Sequence, residues 1–326
     1  MPPARRPEKG VPMKALVTGA AGFIGSHLSA ALLDRGAEVV GVDCFTDYYP
    51  RAIKEGNLRP LENRTGFRFV EVALQRTNLG ALLDGRTHVF HLAAQAGVRK
   101  SWGRDFQIYT TNNIDATQML LEACVGRPLE RVVYASSSSV YGDTVSIPMR
   151  EDALPQPISP YGVTKLAAEQ LCHLYFVNHR VPTVSLRYFT VYGPGQRPDM
   201  GFHRFLKAAI AGAPIPLYGD GEQTRDFTFV ADAVAATVSA GERGVPGRVY
   251  NIGGGSRVSI NQVLRIVERL AGRPLTIRRE PSQKGDMRDT SADTTLARRD
   301  LQFAPATTLE DGLEAEYHWL ERLVTA

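Results

Sequence analysis

The chain has 326 residues, 43% of them hydrophobic and 22% charged, with a formal net charge of +4. That is enough material for a large core and two lobes, and it excludes a collagenous or wholly disordered chain. No apolar run is long enough to span a bilayer, so no membrane partner is expected.

Residues 1–12 are Pro-rich and basic, lack the apolar stretch of a secretory signal, and predict a disordered tail. Short apolar runs at Lys14–Thr18, 38–42, 67–72, 87–91 and 131–135 predict buried strands, and 182–187 predicts a further one. Stretches 23–35, 105–125 and Pro160–His179 predict helices between them. Strands alternating with helices predict an α/β fold, a doubly wound parallel sheet of the Rossmann kind. Beyond about Tyr188, Gly and Pro become dense and the elements short, which predicts a smaller C-terminal α/β lobe interleaved with the first.

Cys44, Cys124 and Cys172 are widely spaced with no CxxC pair. They suit a reducing cytoplasm rather than a disulfide framework. No His/Cys/carboxylate cluster has metal-ligand spacing, so no metal is expected. The basic residues form no long run and no nucleic-acid motif, which argues against a nucleic-acid partner. A modest positive balance fits an ordinary surface, or a cleft that attracts an anionic substrate.

The first strand ends in TGAAGFIG at 18–25. Glycines at 19, 22 and 25 let the backbone turn tightly and lay its amides, with a helix N-terminus, against a pyrophosphate. Gly19, Ala21, Gly22, Phe23, Ile24 and Gly25 are the expected cofactor contacts, with Leu92, Ala93 and Ala94 after the fourth strand. Asp43 ends the second strand, where a carboxylate accepts bonds from a ribose and repels a 2′-phosphate, favouring NAD over NADP. A turn or capping role is the alternative for Asp43. Residues 13–187 are accordingly read as an NAD-binding domain and 188–326 as a substrate lobe.

Tyr161 and Lys165 stand at i and i+4 in YGVTK and share one helix face. A free tyrosine has a pKa near 10, so about 0.1% is ionised at pH 7. A nearby cation lowers it by about 1–3, and the positive nicotinamide acts in the same direction, so the pair predicts a phenolate base. Ser136–Ser139 lie at the carboxyl end of the fifth strand, where ligands of doubly wound folds bind.

These motifs, with HLAAQAGVR at 91–99, SSSSVYG at 136–142, RYFTVYGPGQRPD at 187–199 and GDGEQTRDFTFVAD at 219–232, resemble the extended short-chain dehydrogenases/reductases of the nucleotide-sugar epimerase/dehydratase group. The resemblance runs from about Met13 to the C-terminus. It implies that Ser137 joins Tyr161 and Lys165 in catalysis and that every reaction begins with oxidation at sugar C4. It also implies Arg225 and Arg288 as diphosphate contacts, with Arg197 and Arg204 as weaker candidates, while Arg99, after the HLAAQAG loop, is placed to approach the sugar. Dehydratases of the group carry an Asp-Glu pair where this chain has Ser138-Ser139, and uronate decarboxylases a Glu in place of Ser139. Serine hydroxyls cannot supply that acid–base chemistry near pH 7, so epimerisation is favoured.

TDYYP at 46–50 and TVYGPGQRPDM at 190–200 are most similar to UDP-glucuronate 4-epimerases. The expected reaction is NAD-dependent conversion of UDP-glucuronate to UDP-galacturonate. Ser138, Ser139 and Thr190 would hold the uronate carboxylate, or else merely satisfy backbone groups at strand ends. A neutral UDP-hexose is the alternative substrate, and decarboxylation a lesser alternative reaction. Relatives commonly dimerise through a four-helix bundle, which implies a homodimer using 105–125 and Pro160–His179. One departure is Ala73, where the group usually has an Asp that contacts adenine. His91 is assigned no chemistry.

Overall fold

A computed structural model describes residues 12–143 and 146–325. The tail expected over residues 1–12 lies, save for Pro12, outside the described residues. Seven strands form one parallel sheet in the order Val249–Ile252, Thr183–Tyr188, Arg131–Ser137, His88–His91, Lys14–Thr18, Glu38–Asp43, Phe67–Glu71. The central strands are near-continuous runs of β-branched and aliphatic residues because helices cover both faces. Their side chains alternate. Ala15, Val17, Val39, Phe90, Val133, Val184 and Leu186 enter one core, and Leu16, Val40, Val42, Val89, Val132 and Tyr134 enter the other. The helices Phe23–Asp34 and Val230–Arg243 pack together on the first face. Ala116–Cys124 and Pro160–His179 pack together on the second.

The helix expected over 105–125 is not uniform. A short α-helix, Phe106–Tyr109, runs into a π-helical segment, Thr110–Asp115, before regular α-helix resumes at Ala116–Cys124. TTNNID contains weak helix formers throughout, and the wider turn directs Asn113 inward. Its amide donates to the Gln95 carbonyl (3.0 Å) and to Thr164 Oγ1 (2.9 Å), while its Oδ1 accepts from the Gln95 N–H (2.7 Å). The loop after the fourth strand is thereby tied to the helix that carries Tyr161. The fifth strand runs to Ser137, two residues beyond its expected end. Helices Arg51–Leu58 and Leu79–Leu83 are not foreshadowed by the apolar pattern.

The smaller lobe has its own core, in which Phe202, Leu206, Phe227, Val263, Val267 and Leu313 are buried. Helices Gly201–Ala211, Ile260–Ala271 and Leu309–Thr325 build it, with the parallel strand pair Ile215–Tyr218 and Ile277–Glu280. The polypeptide returns to the sheet layer after Tyr188. Val230–Arg243 and Val249–Ile252 complete the sheet and its helical cover, and Thr295–Leu301 packs there again. Among the described residues no helix is long and apolar enough to cross a membrane.

Candidate active site

The first strand has one neighbour reached early in the chain and one reached later, so the sheet order reverses beside it and opens a crevice at the carboxyl ends. A cavity of about 210 Å³ lies there. Gly19, Gly22, Phe23, Ile24, Gly25, Asp43, Leu92, Ala93 and Ala94 all line it. Gly19 has φ +75°, and a Cβ there would stand 2.8 Å from the Ala93 backbone nitrogen, so only glycine lets the loop pass. No side chain caps the helix that begins at Phe23, which leaves first-turn amides for an anion.

Ala21 is buried, and its N–H donates to Asp43 Oδ2 (3.2 Å). Asp43 fills the turn role, since it accepts the Ala21 N–H. It lines the cavity, and its Oδ1 also accepts from the Phe45 N–H (2.9 Å). Lys54, which sequence reasoning missed, lies 3.5 Å from Asp43 and lines the same cavity. Ala73 begins a short 3-10 turn without a side-chain bond, while its neighbours Val72 and Leu74 supply apolar wall. A glycine cradle, uncapped helix amides, a carboxylate at the end of the second strand and an apolar slot together fit a dinucleotide. Among the described residues no cluster can hold a metal ion.

At the other end of the cavity lie Tyr161, Lys165 and Ser136. Ser159 caps their helix by accepting the Gly162 N–H (3.1 Å), and Pro160 follows at the first helical position, where its fixed φ is favourable. Tyr161 is therefore held in the first turn. Ser137 lies near enough to the phenol to favour its ionised form, and Ser137 Oγ accepts the Ser139 N–H (3.1 Å). Ser136 donates to Glu169 (2.6 Å), which forms a buried ion pair with Arg187 (2.6 Å). This network fixes the serine strand end to the helix one turn beyond Lys165. His91 is neutral: burial pushes it down to about 3, and both ring nitrogens meet threonine hydroxyls, Thr18 at 2.7 Å and Thr117 at 2.9 Å.

The electrostatics differ from the expectation of a simple Lys-activated tyrosine. Burial pushes Lys165 down to about 7, with Cys172 and Glu169 opposing. Burial raises the Tyr161 phenol, and the groups that pull it back are Ser137 and Arg197, not Lys165. A lysine desolvated this far is not a full cation at the pH where a phenol titrates. Arg197 lines the cavity close enough to Tyr161 to act on its charge, apart from the other candidate arginines. Tyr109 packs edge-on against Tyr161, with ring centroids 6.2 Å apart.

The remaining arginines gather on the smaller lobe. Arg99 pairs with Asp286 (2.7 Å) and lies over the Tyr218 ring (4.2 Å), which Arg204 also approaches (5.7 Å). Arg225 donates to the Thr224 and Arg288 carbonyls (2.8 and 3.1 Å), and the exposed Arg288 pairs with Asp220 (3.0 Å). Ser138 is buried, and Thr190 is half-buried. Tyr48, Gln95, Asn112 and Asp199 also shape the site. TDYYP carried the first of these, but nothing in its spacing indicated what the tyrosine touches.

Comparison with known proteins agrees with this geometry. The profile of the "NAD dependent epimerase/dehydratase family" matches residues 15–253. A Bacillus subtilis protein named "Uncharacterized UDP-glucose epimerase YtcB" is 44% identical over 95% of this chain and 99% of its own. The crystal structure of UDP-glucuronic acid 4-epimerase from Bacillus cereus, in complex with UDP-glucuronic acid and NAD, superposes with a TM-score of 0.93 at 48% identity, covering 95% of this chain and 100% of that one. MoeE5 in complex with UDP-glucuronic acid and NAD gives 0.86 at 44% identity, covering 95% and 99%. With its parallel sheet, glycine loop and Ser137–Tyr161–Lys165 constellation, this chain belongs to the NAD-dependent epimerase/dehydratase family.

Proposed function

We propose that the protein is an NAD-dependent 4-epimerase that converts UDP-glucuronate to UDP-galacturonate. The observation that carries this reading is the reacting end of the cavity: Tyr161 beside Ser137, Lys165 one turn on, and Arg197 near enough to act on the phenol. NAD, when bound, takes a hydride from sugar C4 and gives it back to the opposite face. Tyr161 removes the C4 hydroxyl proton and returns it after the keto sugar turns over. Ser137 holds that hydroxyl, and Ser137 and Arg197 favour the phenolate. No carboxylic side chain stands at 138 or 139 to eliminate water or assist decarboxylation.

Arg197 is the cation suited to a uronate carboxylate, with Ser138, Ser139 and Thr190 as hydroxyl partners. Holding that group has a chemical purpose. After oxidation the substrate is a β-keto acid. If the C5–C6 bond aligns with the C4 carbonyl, it breaks, carbon dioxide leaves, the electron pair enters the carbonyl, and the enolate takes a proton at C5. A carboxylate fixed out of alignment is protected. Arg204, Arg225 and Arg288 take the UDP diphosphate, with Arg99 near them, and Arg288 and Arg99 trade their present carboxylate partners for phosphate or sugar oxygens.

A neutral UDP-hexose is the second reading, favoured by the name of the Bacillus subtilis relative and by MoeE5, also solved with UDP-glucose. Incubation with UDP-glucuronate and NAD, followed by chromatography of the products, decides. UDP-galacturonate is expected. A UDP-pentose indicates decarboxylation, and turnover of UDP-glucose alone indicates the hexose reading.

The assembly we propose is a homodimer. Its interface uses Ile108 and Met119 of the irregular helical stretch and Val163, Leu174 and Val177 of Pro160–His179, all exposed apolar residues. The three free thiols fit the cytoplasm.

A further inference from the structure

Two segments, TDYYP at 46–50 and RPD at 197–199, meet over the cavity. Arg197 Nε and Nη2 donate to Asp199 Oδ1 and Oδ2, each at 3.0 Å. The Tyr48 hydroxyl donates to the same Asp199 Oδ2 (3.2 Å), and its ring lies 5.8 Å from the Arg197 guanidinium. Behind them the loop is braced. The Gln196 N–H donates to the Gly193 carbonyl (3.0 Å), and Gln196 Oε1 accepts the His203 N–H (2.9 Å).

We propose that Tyr48 and Asp199 are positioning residues that aim Arg197 at the sugar and thereby set preference for a uronate. The inference rests on the UDP-glucuronate reading above. A guanidinium has two planar donor edges. Asp199 takes the Nε–Nη2 edge, which fixes the plane of the group and directs the Nη1–Nη2 edge by geometry alone. Tyr48 fixes Asp199 in turn, from a loop on the opposite side of the cavity. Both residues act through Arg197 rather than on substrate.

Asp199 also carries a negative charge, and this opposes the proposal. If charge dominated, Asp199 would compete for Arg197 and repel the substrate carboxylate. Its removal would then tighten UDP-glucuronate binding. If positioning dominates, removal frees a long side chain that must be frozen again at each binding event.

The experiment compares wild type, Asp199→Asn and Tyr48→Phe with UDP-glucuronate and UDP-glucose, measuring KM, kcat and product identity. Melting temperature and bound NAD serve as folding controls. The expected result for Asp199→Asn is a KM for UDP-glucuronate raised on the order of tenfold, the cost of immobilising one arginine. KM for UDP-glucose stays within about twofold, since its C6 hydroxyl needs no guanidinium. A UDP-4-keto-pentose appears beside UDP-galacturonate, because the carboxylate is no longer held out of alignment. Tyr48→Phe shows the same changes on a smaller scale, about threefold in KM for one lost hydrogen bond. It loses only a hydroxyl, so it carries the test if Asp199→Asn does not fold. An unchanged or lowered KM for UDP-glucuronate in a folded variant, with a single product, overturns the inference alone. A wild-type enzyme that turns over UDP-glucose but not UDP-glucuronate overturns the substrate reading and the inference with it.

Discussion

The Cβ that Gly162 lacks would stand 2.4 Å from the carbonyl oxygen of Ser139. The helix that presents Tyr161 therefore rests directly on the turn that presents Ser137, backbone against backbone. Helix propensity alone says that alanine at 162 would stabilise by about 1 kcal/mol. The contact says the reverse. Gly162→Ala is expected to lower kcat by tenfold or more, on the order of what a displacement near 1 Å costs a catalytic pair. Single-turnover kinetics, with bound NAD as a control, measure this. Wild-type kcat would show that the helix and turn adjust freely.

Tyr161→Phe deletes the atom that takes the C4 proton. Turnover should fall by at least about a thousandfold, in the range set by loss of a general base. NAD should still co-purify, because the glycine loop and Asp43 are untouched. Chromatography of the denatured enzyme's nucleotide content tests the second half of this expectation.

Asp43→Asn should relax cofactor choice. The carboxylate that excludes a 2′-phosphate disappears, while Lys54, 3.5 Å away, remains as an attractive charge. Reconstitution with NADP should become detectable, and NAD should bind roughly tenfold more weakly from loss of charged ribose bonds. Equilibrium binding of both nucleotides to the apo-protein checks the pair. An undiminished preference for NAD would mean that something other than Asp43 excludes the phosphate.

Glu316 sits on the C-terminal helix, fully buried, with Oε2 accepting the Gly193 N–H (2.8 Å) and Oε1 without a partner among the described residues. Burial pushes its carboxyl up to about 8, with the Gly193 bond opposing. The folded state therefore holds a proton that the unfolded chain releases near pH 4.5. The folding stability this group contributes is full below that pH and is lost as pH rises through about 8. Glu316→Gln, neutral throughout, should flatten the pH dependence of Tm between those values. At pH 8 it should raise Tm by roughly 3–6 °C. Calorimetry across the range tests it, and parallel curves would refute the assignment.

The sheet and the cofactor crevice were legible because their signals are local. Apolar runs of five or six residues marked the strands, and three glycines between a strand and a helix marked the phosphate loop. Ser159 and Pro160 likewise announce a helix start next to Tyr161. The expectations that needed correction turned on distance between segments. Nothing in QRPD states that Arg197 lines the cavity near the Tyr161 phenol. Nothing in YGVTK states that burial would drive Lys165 down to about 7. Desolvation depends on what the rest of the chain packs around a group. The π-helical turn at Thr110–Asp115 was hidden for a related reason: the bonds of Asn113 to Gln95 and Thr164 select it, and neither partner is near in sequence.

The seventh strand, Val249–Ile252, comes from beyond the first excursion into the smaller lobe. A fragment ending at Arg187 would leave the edge strand Thr183–Tyr188 bare and the helix Phe23–Asp34 without its neighbour Val230–Arg243. The gene cannot be cut into a nucleotide-binding half and a sugar-binding half that fold apart. The lobes are also stitched by several passes of chain rather than one linker, so opening them would have to bend several segments together. A sugar that must present its other face turns between walls tied to each other at more than one point.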